Sequence, residues 1–239
     1  MFRLKNFYEI ILISMPKIKL SKLQKEVLVF FGKNQFAQNF YWTGGTALAC
    51  CYLNNRYSVD LDFFSENLFM DDEYSMFISE LKKAVTADKV SFKISQNRRI
   101  YLIKRKAETV KLELVYFPFP AIAKRQRNNE FGLYIDSLGD IMVNKTLAAY
   151  QRYETKDVYD IYCYLNNKPG HNIFKLVDLV EKKFGVAIEP VLLFAKINEL
   201  SDNLDSLRPL LLGKQDNLSK KVKSFFQDEF NIIAKKQIK

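Results

Sequence analysis

"YWTGGTALACCYLNNRYSVDLDFFSE", residues 41–66, sets a diglycine, Gly44-Gly45, after a short apolar run and then places Asp60 and Asp62 in an otherwise apolar segment. The stretch "YSVDLDFFS" (57–65) alternates as a strand does, with Val59, Leu61 and Phe63 on one face and Ser58, Asp60 and Asp62 on the other. The pattern predicts a strand at "FYWT" (40–43), a turn at the glycines, a helix through about Leu53 and a second strand carrying the acids. Carboxylates in a strand cost free energy unless something cationic meets them.

Carboxylates at i and i+2 of a strand share a face, about 6–7 Å apart. Such a pair can converge on one or two divalent ions of the kind that assist phosphoryl transfer, and magnesium takes hard oxygen ligands of this type. A lone Asp-x-Asp is equally compatible with surface or capping acids. The diglycine adds to the first reading. Glycines at a strand-to-helix turn let backbone N–H groups approach a phosphate, and the helix behind them presents its positive end. Thr46 offers a hydroxyl. Taken alone, Gly-Gly is a tight turn.

Upstream, residues 20–39 carry Leu20, Leu23, Val27, Phe30 and Phe31 at helical spacing. Downstream, Asp71-Asp72 open an amphipathic helix running to about Thr86, with acids at its positive end. Three strands are predicted at "VSFKIS" (90–95), "RRIYLIKR" (98–105) and "TVKLELVYF" (109–117), with "KAE" (106–108) as a hairpin turn and Pro118 and Pro120 ending the sheet. In the last of these, Lys111 and Glu113 share the polar face. Glu113 either completes a carboxylate triad with Asp60 and Asp62 or pairs with Lys111 or a nearby Arg.

A basic stretch, "AKRQRNNE" (123–130), precedes a short strand near 132–136, and the remainder reads as helical. Ser137 with Asp140 resembles a capping box for a helix through Gln151. If that helix ran on unbroken, Lys145, Arg152 and Lys156 would lie within roughly 40° of one another and form one basic stripe. Thr155 capping a new helix would spoil that stripe and leave Asp157 in a first turn. Asp160 then serves catalysis directly or pairs with Lys145 or Arg152. The expected class is α/β (α+β): a mixed sheet with flanking helices, then a helical C-terminal half, divided at 1–135 and 136–239.

Composition narrows the chemistry. The chain has 239 residues, 48% hydrophobic and 27% charged, with a net charge of +10 that favours an anionic partner. Its three cysteines include an adjacent pair, Cys50-Cys51, and make no disulfide framework. A single histidine, His171 in "KPGH", argues against a zinc site or a histidine-based triad. The N-terminal "FYEIILIS" is too short for a signal peptide, Met15 offers a second possible start, and a cytoplasmic location is expected.

Together, "GGTALA" and "NNRYSVDLDFF" resemble the signature of the AbiEii/AbiGii-type nucleotidyltransferases, abortive-infection toxins of the polymerase-β-like superfamily. The matching residues are Gly44, Gly45, Thr46, Arg56, Ser58, Asp60 and Asp62, with Asn55-Arg56 where the family commonly has His-Arg. "MVNKTLAAYQRYETKDVYDIYCYL" (142–165) is similar to the family's Asn-Lys helix and the Arg and Asp-x-x-Asp segment after it, which carries over Lys145, Arg152, Asp157 and Asp160. The resemblance implies a nucleotidyltransferase-like sheet in 1–135 and a helical domain, 136–239, that completes the active site. It implies Mg2+ or Mn2+ on Asp60, Asp62 and Glu113, and catalysis by these with Lys145 and Asp160. The NTP would be bound by Gly44, Gly45, Thr46, Arg56, Ser58, Lys145, Arg152 and Asp157.

The acceptor implied is RNA, at tRNA ends, and a cognate antitoxin is an expected partner. "KRQR" (124–127) and the lysine-rich tail agree with RNA, although such a tail is also an ordinary solvated face. Competing readings are a nucleotidyltransferase acting on small antibiotic-type molecules, an Asp-x-Asp glycosyltransferase, and a non-catalytic RNA- or partner-binding module on the same scaffold.

Overall fold

The structure, a computed structural model, describes residues 19–237; of residues 71–73 and 232–237 it describes the backbone alone. "FYEIILIS" and Met15 lie outside the described residues, as do the side chains of Asp71 and Asp72. A seven-stranded sheet organises the fold. Its strands are β1 (Tyr41–Thr43), β2 (Leu61–Ser65), β3 (Lys89–Ser95), β4 (Arg98–Arg105), β5 (Glu108–Tyr116), β6 (Gln126–Asn128) and β7 (Leu133–Ile135). They run in the order β3-β4-β5-β2-β1-β7-β6. The sheet is mixed, since β1 is antiparallel to β2 and parallel to β7, while β2 is parallel to β5.

Helix α1 (Lys22–Lys33) starts at a capping box, Ser21 with Gln24, and α3 (Asp71–Ala84) lies beside it. Their apolar faces cover one side of the sheet. Phe31 stacks on Phe63 with ring centroids 3.8 Å apart and meets Phe77 edge-on at 4.8 Å. Leu61, Tyr101, Ile103, Leu112 and Leu114 are buried beneath them. The expected helix over 20–39 stops early: Asn34 leaves the helical conformation, and a 3₁₀ turn covers Phe36–Asn39.

The strand expected over 57–65 is shorter, beginning at Leu61. Residues 56–59 have other partners: Arg56 bridges Leu211, the Tyr57 N–H donates to the Leu210 carbonyl at 2.7 Å, and the Gln24 amide donates to the Val59 carbonyl at 3.0 Å. Val59 is therefore 62% exposed and not on the buried face with Leu61 and Phe63. The basic stretch contains a strand, β6, that composition did not reveal.

Among the described residues, five α-helices build the second half: α4 (Leu138–Gln151), α5 (Thr155–Asn167), α6 (Ile173–Phe184), α7 (Pro190–Asp202) and α8 (Leu218–Gln237). Ile161, Leu176, Val180, Leu193, Ile197, Val222 and Phe226 form their shared core. Asp140 ties this half to the sheet. Its buried carboxylate accepts from the Ile122 and Ala123 N–H groups, the Ser137 hydroxyl and the Lys183 ammonium. Burial opposes its charge, but these donors outweigh burial and hold its pKa below the usual range. No helix among the described residues is long and apolar enough to cross a membrane.

Candidate active site

The diglycine begins α2 (Gly44–Leu48), which continues as a π-helical turn over Ala49–Leu53 and ends at Asn54 in the left-handed conformation. Gly44 has φ +75°, and a Cβ there would lie 2.0 Å from Asp62 Oδ2. Gly45 faces Ser58 Oγ and Arg56 Nη2, with a hypothetical Cβ 2.9 and 3.0 Å from them. The glycines thus bring the turn against the acidic strand. Thr46 is buried, and its hydroxyl donates to the Asp60 carbonyl, so it anchors Asp60 and does not face the cleft.

Register sets the acids in a row. Asp62 on β2 stands opposite Thr43 on β1 and opposite Glu113 on β5, so three strands contribute to one face. That face floors a cleft of about 240 Å3 whose lining includes Gly44, Gly45, Arg56, Ser58, Asp60, Asp62 and Glu113 from the sheet half. Asn144, Lys145, Arg152 and Lys156 line it from the helical half. Phe64, Phe117 and Phe184 close one part of the wall with aromatic rings.

What meets the carboxylates is Lys111. Its ammonium lies 2.5 Å from Glu113 Oε1 and 3.3 Å from Asp60 Oδ2, and Arg98 pairs with the other Glu113 oxygen at 2.9 Å. Glu113 is buried, which would raise its pKa, but Lys111 and Arg98 prevail and lower it. Among the described residues Asp62 makes no ion pair, and Lys111 and Lys145 lower its pKa only from a distance. Burial first, then the charges of Glu113 and Asp60, push its pKa up to about 6. Among the described residues no group of three His, Cys, Asp or Glu side chains is arranged to hold a metal ion. Asp60 and Asp62 supply adjacent hard-oxygen donors suited in kind to a magnesium-type ion, while Glu113 is engaged by Lys111 and Arg98.

The cationic wall rests on a buried network. Arg56 grips both oxygens of Asp160 at 2.9 and 2.7 Å, and Lys145 reaches Asp160 at 2.7 Å and Asp157 at 2.9 Å. Arg152 pairs with Asp157 at 2.8 Å. Burial works against the charge on both aspartates, yet Lys145, Arg56 and Arg152 offset it and keep both pKa values low. Asp157 and Asp160 are fully buried and do not line the cleft; they hold the cations that do. The unbroken basic stripe is not present, because α4 ends at Gln151 and α5 starts at Thr155. Lys145, Arg152 and Lys156 nevertheless reach the same cleft across that break.

Several lining residues escaped the reading of the sequence. Arg98, Phe117 and Phe184 sit in patterns that look like ordinary strand and helix positions. Asn144 belongs to the Asn-Lys helix but drew no role, and both polar atoms of its amide are buried with no partner among the described residues. Burial pushes the thiols of Cys50, Cys51 and Cys163 up to about 11, 12 and 12, so none is a thiolate nucleophile at neutral pH.

The chain is 27% identical over 217 residues, 88% of its length and 99% of the relative's, to the uncharacterized protein aq_aa25 of Aquifex aeolicus. A crystal structure of a candidate nucleotidyltransferase from Helicobacter pylori superposes with a TM-score of 0.53 at 18% identity, covering 90% of this chain and 94% of that one. JHP933 from Helicobacter pylori does so at 0.50 and 17% identity, covering 92% of this chain and 100% of that one. At such identities these structures speak to the fold. The family model described as the nucleotidyl transferase AbiEii toxin of type IV toxin–antitoxin systems matches residues 27–231, a span that holds all the cleft residues named above, and the chain belongs to that AbiEii family.

Proposed function

We propose that this protein is a toxin that transfers an NMP from an NTP to an acceptor hydroxyl, with RNA, at a tRNA 3′ end, as acceptor and a cognate antitoxin as its restraint. The observation that carries this reading is the row Thr43–Asp62–Glu113, set against Gly44 and facing Lys145 and Arg152 across one cleft. Family membership supports the reaction class.

In this reading the 1–135 domain supplies the acids and the phosphate-facing turn, and the 136–239 domain completes the site with cations. Asp60 and Asp62 would hold Mg2+ or Mn2+, and Glu113 would complete the set once Lys111 is displaced from it. The ion, when bound, supplies charge neutralisation at the reacting phosphate. The backbone at Gly44 and Gly45 and the side chains of Ser58 and Arg56 bound the phosphate end of the cleft. Lys145 and Arg152 neutralise triphosphate charge, and the buried Asp157 and Asp160 hold them aimed. Glu113 would orient the acceptor hydroxyl and help take up its proton, as the hydroxyl oxygen bonds the α-phosphorus and the bond to the leaving pyrophosphate breaks.

The test is incubation of the protein with each α-³²P NTP, Mg2+ or Mn2+ and total RNA, beside Asp60→Ala and Asp62→Ala. Label on RNA that requires both acids supports the proposal. Equal label from all variants, or none with any NTP and either metal, overturns it.

A further inference from the structure

The catalytic-side face of the sheet does not end at the acids. Register extends the row of Thr43, Asp62 and Glu113 onto Ile100 of β4 and Lys93 of β3. A parallel row runs from Lys111 to Leu102 and Ser91, and a third from Thr109 to Lys104 and Lys89. Residues opposite one another in a ladder point to the same side, so these side chains share the face that floors the cleft. The opposite face is covered by α1 and α3 over β5 and much of β4, while its Phe92 and Ile94 on β3 stay exposed. On this one Lys89, Ser91, Lys93, Lys104 and Thr109 are exposed, and Leu102 is 44% exposed.

Beyond the acids, the exposed charge on that surface has one sign. Among the described residues, Lys89, Lys93 and Lys104 make no ion pair. The carboxylates at that end are engaged elsewhere: Glu108 accepts from the Ser21 hydroxyl and the Leu23 N–H at the start of α1, and Asp88 accepts from the Lys106 N–H. Unpaired ammonium groups flanking the apolar Ile100 and Leu102, on an uncovered surface that leads into a cleft, match a polyanion whose phosphates alternate with apolar rings.

We infer that the open face of β3, β4 and the near part of β5 is a docking track for single-stranded nucleic acid, with Lys89, Lys93 and Lys104 on its phosphates and Ile100 and Leu102 under its bases or riboses. The track runs to Glu113, so a strand lying on it brings its terminal hydroxyl to the acids. Placing a reacting end there rests on the transferase reading. The affinity of the face does not.

The experiment is fluorescence anisotropy of a labelled single-stranded RNA oligonucleotide with the full chain, across a range of salt concentrations. Lys93→Glu/Lys104→Glu should weaken binding at least about tenfold and flatten the salt slope by about 1.4, the share of two phosphate contacts on a single strand. Its melting temperature should match the wild type, since both lysines are solvated. A control reversal on α8, Lys220→Glu/Lys221→Glu, should leave affinity within about twofold. Unchanged binding in the β3–β4 variant overturns the inference, as does an equal loss in the α8 control, which would make net charge the cause. Competition by polyglutamate as strong as by unlabelled RNA also overturns it and would assign the face to an acidic protein. RNA binding lost in the β3–β4 variant with no label transfer by any NTP would remove the transferase reading and leave this one standing.

Discussion

Gly44 lies so close under the carboxylate of Asp62 that a Cβ on the glycine would sit 2.0 Å from Oδ2. The same residue has φ +75°, a region that costs a residue with a side chain about 1–2 kcal/mol. Gly44→Ala must therefore displace Asp62 or unwind the turn. Its expected outcome is loss of label transfer by at least a hundredfold and a stability loss of about 2–3 kcal/mol, read by urea denaturation. Gly45→Ala meets only the tips of Ser58 and Arg56 and should cost less on both counts.

Asp62 also predicts a pH dependence. Its pKa in the folded chain is about 6, against about 4 when unfolded, so the folded state binds this proton more tightly. The stability that Asp62 contributes is complete below about pH 4 and is lost as pH rises through 6. Asp62→Asn stays neutral throughout. It should be inactive yet more stable than the wild type by about 1–3 kcal/mol at pH 7, the lower figure allowing for solvent screening in the cleft. Denaturation curves in chelator from pH 4 to 8 should show that advantage vanish toward pH 4; an advantage independent of pH would refute the assignment.

The buried network behind the cleft predicts a ranking. Asp160→Ala strands Arg56 and Lys145, both buried, and should cost about 3–5 kcal/mol. Arg152→Ala removes a side chain that is 46% exposed and should cost about 1 kcal/mol or less in stability while weakening NTP binding. Parallel urea titrations and NTP saturation curves separate the two. A stable Asp160→Ala with lost activity would move Asp160 into direct catalysis.

Much of this arrangement is legible in the chain itself. The diglycine, the alternation around Asp60 and Asp62 and the polar face of "KLELV" are local patterns of period two, and they point to the right strands and faces. What is not legible depends on partners far along the chain. Val59 follows the same alternation as Leu61, yet it is exposed because Leu210, Leu211 and Gln24 claim the backbone of 56–59. The break between α4 and α5 is ambiguous in "QRYETK", and only the packed helices show that three cations still converge across it. Lys111 is the cation that meets Asp60 only because β5 lies parallel beside β2 in one particular register.

That ammonium yields a prediction about metal. Lys111 spans Asp60 and Glu113 where a divalent ion would compete for the same oxygens. Lys111→Ala should be less stable than the wild type in chelator, because the acids lose their counter-charge. Millimolar Mg2+ should restore it, raising its melting temperature by several degrees more than the wild type's. Equal shifts in the two proteins would show that the ion and Lys111 do not share a place.

Asn144 supplies the sharpest separation of function from stability. Both polar atoms of its amide are buried without a partner among the described residues, beside Lys145 and facing the cleft. An unsatisfied buried amide costs about 1–3 kcal/mol, a cost that a ligand or a water completing its hydrogen bonds offsets. Asn144→Ala removes that cost and should leave stability unchanged or raise it by about 1 kcal/mol. In the same variant NTP should bind or react more weakly by about ten- to a hundredfold, since the groups that paired with the amide would be left open. Melting curves set beside label transfer decide the matter: a variant that is destabilised and fully active would show that the amide serves the fold and not the substrate.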